Sequence, residues 1–497
     1  MVLLLCCLAA MHVFVFSAAF PFFNNADEPS HFDLVRKYVD GHLPRGLEET
    51  SKLSMENFAI YSSPEYLMPP NTFFQGRYPS PPWYQLSGKA ASAPPEETTQ
   101  GDMLWRLLKE KNTGPNYETP QPPLYYVLAS LWWHIGQTCG LSGGCLLYWI
   151  RFLNIFFVTA LVWVGYIAAR LVFPERHFSR LGVPALLAFF PQTAFYSIQN
   201  DVLSPLCFGV VFVCLVRWWH AERPGVELGV AMGLALGATY LTKMSNLPLL
   251  AVAVAMLLLK LRHGAKAGNL RPALPALAWL VLCAGLPIAA WLLWSKHAFG
   301  DFTGSAAKIH YLGWTYKPFG EWWHHPIFTP QGLWTFLSGL LTAFWQGEFL
   351  WHGQPLDQPV VDAFYVILSV VFVGLAVVSV LSRSSVATES QRAALWLSAA
   401  SFIASIAFLA VLSIIFDFGN CVSPSCDHPY FTHGRLMLGA LIPFLLLFLN
   451  GVDFLLRGTR GNQMRFWTLA GLIAFMLISE IATDWTVFGS QYNWFHM

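Results

Sequence analysis

The chain has 497 residues, of which 55% are hydrophobic and only 11% are charged. Soluble domains carry roughly 25% charged residues, so this composition excludes an ordinary soluble enzyme. The 29 Lys and Arg residues nearly balance the 28 Asp and Glu residues, and a net charge of +1 provides no field that would attract nucleic acid.

Apolar segments that are long enough to cross a membrane recur along the whole chain. A spanning helix needs about 20 mostly apolar residues, and eleven segments meet this criterion. They start near Val2, Ile150, Leu181, Val202, Val226, Asn246, Pro272, Val360, Ala393, Leu436 and Phe466. The first segment lacks a preceding basic residue and a clear small-residue cleavage site, so we predict a retained anchor helix and not a signal peptide. The expected fold class is all-α, a polytopic transmembrane helical bundle.

Basic residues in the short connections predict the orientation of the bundle. One set of alternate helix ends holds most of them: Arg170, Arg176, Arg180, Arg217, Arg223, Lys260, Arg262, Lys266, Arg271, Arg383, Arg392, Arg457, Arg460 and Arg465. The other set holds few, chiefly Lys243 and Arg435. Because short cytoplasmic loops are enriched in Lys and Arg, the first set is assigned to the cytoplasm. The N-terminus is then predicted inside and the C-terminus outside.

Two long segments fall on the outer side of this topology, at residues 21–149 and 298–358. Neither resembles a separate domain, so residues 1–497 are predicted to form a single integral membrane domain. Several Pro clusters in the first segment favour an extended, turn-rich loop. Within it, residues 28–40 show an apolar stripe of helical period, and residues 124–135 are apolar but too short to span comfortably. Both are predicted to be helices at the membrane surface.

Four of the nine cysteines form two close pairs in predicted outer segments. The pairs are Cys139 with Cys145, and Cys421 with Cys426. An oxidising compartment would permit a local disulfide in each pair, but sequence does not fix the Cβ geometry, so both pairings stay open. Neither pair has the ligand spacing of a zinc site.

The residues directly after the first span carry the most informative motif. Asp27 and Glu28 are adjacent carboxylates, and His31 follows within one helical turn. A helix start would explain Asp27 as an N-cap and Pro29 as a first-turn residue. Two carboxylates and a histidine at the outer mouth of a helical bundle are, however, also suited to chemistry on a lipid-borne substrate.

Asp27-Glu28-Pro29-Ser30-His31-Phe32 resembles the acidic motif in the first outer loop of the GT-C glycosyltransferases, which take a sugar from a polyprenyl-phosphate carrier. Further similar segments follow in order: Gln121-Pro122-Pro123-Leu124-Tyr125-Tyr126, Asn200-Asp201, Thr242-Lys243, Phe344-Trp345-Gln346-Gly347-Glu348-Phe349 and Gly434-Arg435. The last two are similar to segments of a poorly characterised bacterial branch. The resemblance covers most of the chain. It implies sugar transfer with inversion to a lipid, glycan or protein acceptor on the periplasmic side of a bacterial inner membrane.

The resemblance also implies roles for the two acidic motifs. Asp27 would be the base that takes the acceptor proton, and Glu28 would support it or contact the acceptor. In some relatives the two outer acidic sites share a divalent metal ion, which would make Asp27 and Asp201 its ligands. No other cofactor is expected. Gln121 stands where well-studied relatives have a Lys or His that touches the carrier phosphate, so another cation must supply that charge.

Other residues are candidates for contacts with the donor or the acceptor. Lys243 and Arg435 are scarce outer cations suited to a phosphate, although a lysine at this depth can also snorkel to the interface. Trp345 is suited to stacking on a sugar or to an interfacial aromatic belt. The predicted substrate-binding residues are His31, Gln121, Tyr125, Asn200, Asp201, Lys243, Lys308, His310, Trp345, His433 and Arg435.

Three other functions stay open at this point. A glycolipid transporter or flippase would use the same cations, but it would not require the acid pair, and the chain shows no inverted repeat. A polysaccharide polymerase or ligase that uses pyrophosphate-linked donors would be expected to have more outward arginines than Arg151 and Arg435. A non-catalytic scaffold is supported by composition alone.

Overall fold

The computed structural model describes residues 1–72, 76–83, 114–266, 271–382, 388–421, 423–458 and 462–496. Regular structure in these ranges is almost entirely helical, which confirms the all-α prediction. The α-helices are α1 (Val2–Ala19), α2 (Glu28–Val39), α3 (Lys52–Tyr61), α4 (Leu124–Thr138), α5 (Gly143–Val172), α6 (His177–Ala188), α7 (Ser204–His220), α8 (Val226–Thr242), α9 (Leu247–Lys266), α10 (Leu274–Phe299), α11 (Ser305–Tyr311), α12 (Pro330–Gln346), α13 (Pro359–Leu381), α14 (Glu389–Ile415), α15 (Leu441–Leu455), α16 (Asn462–Thr483) and α17 (Trp485–Phe488). Two-residue strands pair antiparallel, β1 (Thr315–Tyr316) with β4 (Phe416–Asp417) and β2 (Leu350–Trp351) with β3 (Gln354–Pro355).

Nine helical segments in the described ranges are long and apolar enough to cross a membrane. They are Val2–Ala19, Gly143–Val172, Asn200–His220, Met244–Ala265, Arg271–Phe299, Pro359–Leu381, Glu389–Ile415, Gly434–Leu455 and Gln463–Thr483. The chain is therefore a polytopic helical membrane protein. Two of the eleven predicted spans are absent from these nine. The segment near Leu181 forms the 12-residue helix α6, and the segment near Val226 forms the 17-residue helix α8.

Helix α6 is too short to cross a membrane by itself. At 1.5 Å per residue it is about 18 Å long, whereas the hydrocarbon core is about 30 Å thick. The chain then continues through residues 190–203, which are buried throughout and include short 3₁₀ turns at Thr193–Tyr196 and Asn200–Leu203. Irregular backbone is stable at membrane depth where protein covers it. This segment brings Asn200 and Asp201 into the interior at the start of α7.

Helix α8 packs closely against α10. Gly229, Gly233 and Gly237 recur every four residues on α8, and a Cβ atom added at Gly229 would lie only 2.1 Å from the carbonyl oxygen of Ala276. Small residues at this spacing allow the backbones of membrane helices to approach each other. The close packing holds the end of α8 in place, and Lys243 follows it directly.

Different ion pairs lie at the two ends of the bundle. Arg435 precedes α15, whereas Asp453 lies in the last turn of that helix. Asp453 pairs with Arg176 at 3.3 Å and with Arg465 at 3.0 Å, so connections of the predicted cytoplasmic set meet at one end. We call the opposite end, which holds Arg435, the loop end. Two further members of the basic set, Arg383 and Arg460, lie outside the described residues.

Both surface helices predicted in the first long segment are present, as α2 and α4. Helix α2 packs on α4, and α4 packs on α5. In the second long segment, α12 buries Phe336, Leu340 and Phe344 against the bundle. The described parts of the predicted loops are therefore largely folded onto the membrane domain.

Candidate functional site

Asp27 lies at the turn between α1 and α2, with a left-handed backbone (φ 62°). Its side chain makes no capping hydrogen bond to α2, which argues against the simple N-cap explanation. Instead, Oδ1 accepts a hydrogen bond from the Tyr117 hydroxyl at 2.5 Å, and Oδ2 pairs with the guanidinium of Arg435. Positive φ angles at non-glycine residues cluster at functional sites.

Arg435 joins three acidic residues from distant parts of the chain. Its Nε donates to Glu348 Oε2 at 3.0 Å, and its Nη2 pairs with Asp27. Its Nη1 lies 3.5 Å from Asp201 Oδ2 and donates to Gln199 Oε1 at 3.3 Å. The planar guanidinium presents five N–H groups, so it can face several acceptors at once. Arg435 is thus the centre of the site.

Lys243 is paired with Asp201 inside the protein and does not snorkel outward. Its Nζ donates to both carboxylate oxygens at 2.7 Å. Burial lowers the pKa of Lys243, and the charge of Asp201 opposes this effect. Asn200 supports the pair, because its amide donates to Gln121 Oε1 at 3.2 Å and to the Thr242 carbonyl at 3.1 Å.

A third acid–cation pair, Glu118 with Lys308, completes the cluster. Lys308 Nζ donates to Glu118 Oε1 at 2.6 Å, and Gln121 Nε2 donates to Glu118 Oε2 at 2.6 Å. The ammonium group also lies 5.1 Å from the centre of the Tyr117 ring. The Lys308 side chain is 29% exposed, compared with 7% for Lys243 and for Arg435. Lys308 is therefore the most accessible of the three cations.

The pKa values of the two cluster histidines shift in opposite directions. His433 Nδ1 lies 3.0 Å from Glu348 Oε1; burial lowers its pKa, but the carboxylate outweighs burial and the net shift is upward. His31 bonds through Nδ1 to the Tyr126 hydroxyl at 2.7 Å, and burial lowers its pKa to about 4. Its buried Nε2 has no hydrogen-bond partner among the described residues. His31 is therefore a neutral ring with a free nitrogen.

Cations lower the pKa values of Asp27 and Glu348. Burial raises the pKa of Asp27, but Arg435, then Lys308 and the Tyr117 hydroxyl, together hold it well below the usual range. Burial likewise opposes ionisation of Glu348, yet His433 and Arg435 lower its pKa to about 2. As long as Arg435 contacts it, Asp27 is a charged but weak base.

Glu28 is separated from the site although it is next to Asp27. Its carboxylate forms a two-point ion pair with Arg151 at 2.7 and 2.8 Å. It also accepts hydrogen bonds from the backbone N–H groups of Phe23 at 2.9 Å and Ile198 at 3.0 Å. Because it is fully buried, Glu28 has no surface for contact with an acceptor. It supports the turn that carries Asp27.

Three other predicted site residues lie outside the cluster. Trp345 is buried between Phe190 and Tyr365, with ring centres 4.6 and 4.7 Å away, so it belongs neither to a sugar platform nor to an interfacial belt. Tyr125 is buried and packs edge-on against its neighbour in α4. His310 is exposed on α11.

The expected metal ligands do not fit a divalent ion in this arrangement. The guanidinium of Arg435 contacts both Asp27 and Asp201, and Lys243 occupies both oxygens of Asp201. The described residues contain no group of three or more His, Cys, Asp or Glu side chains placed to hold a metal ion.

All nine cysteines are free thiols in this structure, so it contains neither of the two disulfides that the sequence leaves open. Cys426 Sγ instead contacts Asp417 Oδ1 at 3.3 Å and the Gly419 carbonyl at 3.1 Å. The other three members of the predicted pairs, Cys139, Cys145 and Cys421, are likewise free.

Four contributors to the cluster were missed by the sequence analysis: Tyr117, Glu118, Gln199 and Glu348. Glu348 had a signal, because it lies in one of the segments that carry the resemblance. Glu118 and Gln199 adjoin predicted motifs, three residues before Gln121 and one before Asn200. Tyr117 had no signal of its own.

A family model described as "Predicted membrane protein (DUF2142)" matches residues 11–419. This range includes every acidic residue of the cluster, whereas Arg435 follows it. No curated protein matches the chain.

Proposed function

We propose that this chain, which belongs to the DUF2142 family of predicted membrane proteins, is a glycosyltransferase that uses a polyprenyl-phosphate-linked sugar as donor. The observation that carries the proposal is the Asp27 carboxylate, 23% exposed and grouped with the cations Arg435, Lys243 and Lys308. Transfer from a lipid phosphate to a hydroxyl needs a base for the acceptor proton and positive charge for the departing phosphate. The cluster offers both.

Binding of the donor would activate the base. Guanidinium groups bind phosphates in two-point contacts, so a donor phosphate competes with Asp27 for Arg435. Once Arg435 turns to the phosphate, Asp27 loses the cation that contributes most to its low pKa. Its pKa then rises toward the ordinary range, and the carboxylate becomes a stronger base.

The acceptor hydroxyl then gives its proton to Asp27, and its oxygen forms a bond to the anomeric carbon of the sugar. The bond between that carbon and the phosphate oxygen breaks, and its electron pair leaves with the polyprenyl phosphate. Attack opposite the leaving group inverts the anomeric centre. Arg435 and Lys243 stabilise the departing phosphate. No step uses a metal ion.

The proposal includes the side of the membrane on which the site lies. Basic residues gather at the end of the bundle opposite to the cluster, and such residues are retained in the cytoplasm. The cluster at the loop end would then face the periplasm in a bacterial inner membrane. Its acceptor would be a lipid, glycan or protein on that side.

The test combines lipid analysis with a transfer assay on full-length protein in nanodiscs. Wild type, Lys243→Ala and Asp27→Asn are compared by mass spectrometry of retained lipids and by release of polyprenyl phosphate from a sugar-charged donor. We expect Lys243→Ala to lose the retained carrier lipid. Asp27→Asn should keep it but transfer about 100- to 10,000-fold more slowly, the usual contribution of a general base.

Lys260→Ala, at the other end of the bundle, and Asp40→Asn, an exposed carboxylate directly after α2, are the matched controls and should behave as wild type. Full transfer by a folded Asp27→Asn protein would refute the proposal. Retention of bulk phospholipid alone, together with no donor consumption by the wild type, would also contradict it.

A further inference from the structure

A cavity opens at the loop end, apart from the Asp27–Arg435 cluster. Its volume is about 380 Å³, within the range of about 300–1,000 Å³ that is typical of small-molecule sites. Its lining includes Glu65, Tyr78, Trp351, His352, Thr486 and Gln491. These residues come from the first long segment, from the β2–β3 hairpin and from the chain after α16.

The hairpin fixes one wall of the cavity. His352 and Gly353 join β2 to β3 with φ angles of 56° and 76°. A two-residue turn with positive φ at both positions suits the twist of a hairpin, although a left-handed histidine is uncommon. The His352 ring is held by the Tyr78 hydroxyl, 2.7 Å from its Nε2. Burial lowers the pKa of His352, which favours the neutral ring.

Glu65 supplies the charged group of the cavity. Its Oε2 accepts hydrogen bonds from the hydroxyl groups of Ser63 at 2.9 Å and Ser490 at 2.5 Å. Its Oε1 has no hydrogen-bond partner among the described residues. Burial raises the pKa of Glu65 to about 7, and the two serines oppose this shift. One oxygen is therefore fixed, and the other is free to bind a ligand.

The cavity adjoins the site that contains Asp27. Glu348 accepts a hydrogen bond from Arg435, and Trp351, three residues after Glu348, lines the cavity. At about 3.3 Å per residue in extended chain, the two positions are about 10 Å apart. Tyr66 is the neighbour of Glu65 and lies close to Asp27. Burial and the charge of Asp27 together raise the pKa of Tyr66 to about 12.

We infer that this cavity binds the acceptor through a neutral sugar unit, with one hydroxyl held by Glu65 and a ring face packed against Trp351. Aromatic rings offer a broad apolar face beside polar partners, and the Gln491 amide both donates and accepts hydrogen bonds. Among the described residues, the lining includes no Lys or Arg. An anionic ligand would therefore meet Glu65 without a compensating cation from this part of the chain. That the bound sugar belongs to the acceptor rests on the proposed function. That the cavity binds a sugar does not depend on it.

The experiment titrates full-length protein in nanodiscs with methyl glycosides of glucose, mannose, galactose and arabinose, and saturation-transfer NMR reports binding. Wild type is compared with Glu65→Gln and Trp351→Ala. The matched controls are Glu321→Gln and Trp323→Ala, which change exposed residues of the second long segment. Retained donor lipid is measured for every variant as a readout of intact folding.

We expect at least one glycoside to bind the wild type with millimolar affinity. Both cavity variants should weaken that binding about tenfold, which corresponds to ~1.4 kcal/mol, while donor retention and the controls stay unchanged. Absence of glycoside binding, or equal binding by the cavity variants, would overturn the inference. Glycoside binding without donor consumption would refute the transferase alone, and donor transfer without glycoside binding in the cavity would refute the cavity assignment alone.

Discussion

Two acid–guanidinium pairs begin at adjacent residues of this chain and differ in what surrounds them. Glu28 and Arg151 are 0% and 1% exposed, and the carboxylate has two further backbone donors. Asp27 is 23% exposed, and its partner Arg435 also contacts Asp201 and Glu348. We call Glu28–Arg151 the closed pair, because it is buried and its arginine pairs with no other acid among the described residues. We call Asp27–Arg435 the shared pair, because its arginine also contacts other acids. Both pairs bring opposite charges together, so the distance between the charges does not distinguish them. The difference is that Arg435 is shared among several acids and can therefore exchange partners, whereas Arg151 stabilises the fold.

Removing the arginine of the closed pair should have the largest effect on the stability of the protein. Arg151→Ala leaves Glu28 charged and buried without its cation, which costs about 3–5 kcal/mol in comparable buried pairs. We expect a large fall in Tm and poor recovery of monodisperse protein, measured by tryptophan fluorescence and size-exclusion chromatography. Arg217→Ala, which removes an exposed arginine of α7, is the control. A wild-type Tm for Arg151→Ala would show that the two pairs do not differ in this way.

Substitution in the shared pair should affect activity more than stability. Arg435→Lys keeps one positive charge but cannot reach Asp27, Asp201 and Glu348 at once. We expect transfer to fall about 100- to 1,000-fold, as when a group that stabilises a developing charge is lost. The fall in Tm should be smaller than for Arg151→Ala. If Arg435→Lys unfolds the protein as readily as Arg151→Ala does, the contrast between the pairs is wrong.

The smallest expected effect depends on pH. The folded-state pKa of His433 is raised above 6.5, so its pairing with Glu348 stabilises fully below that pH and is lost as pH rises through the folded value. The pKa of Glu348 is lowered from 4.5 to about 2, so its contribution is present above 4.5 and fades as pH falls. The Tm difference between wild type and His433→Asn should therefore be largest between these limits and shrink at alkaline pH. A constant difference would contradict the pairing.

Hydropathy predicted most of the fold. The nine long spans, α2 and α4 follow from apolar length and helical periodicity, which are local properties. The span near Leu181 was wrong because Phe189, Phe190 and Phe195 continue the apolar pattern, while the backbone there leaves the helix and is covered by other helices. Sequence does not distinguish an apolar helix from an apolar irregular segment in the protein interior.

The candidate site was predicted only in part. Asp27, Asp201, Lys243 and Arg435 were expected at one face, and the structure brings them into one cluster. The role of Glu28 could not be separated from that of Asp27, because its partner Arg151 lies 123 residues away. Pairings over such distances depend on how helices pack, which a single sequence does not encode in any local pattern.

The contact between Asp27 and Arg435 joins residues that are 408 positions apart. Ribosomes add roughly 5–20 residues per second, so the arginine is made about 20–80 s after the carboxylate. During this interval Asp27 has no guanidinium partner, while six further spans of the described ranges follow α1 and a seventh begins at Gly434. The order of biosynthesis therefore keeps the cluster incomplete until most of the described spans have been made.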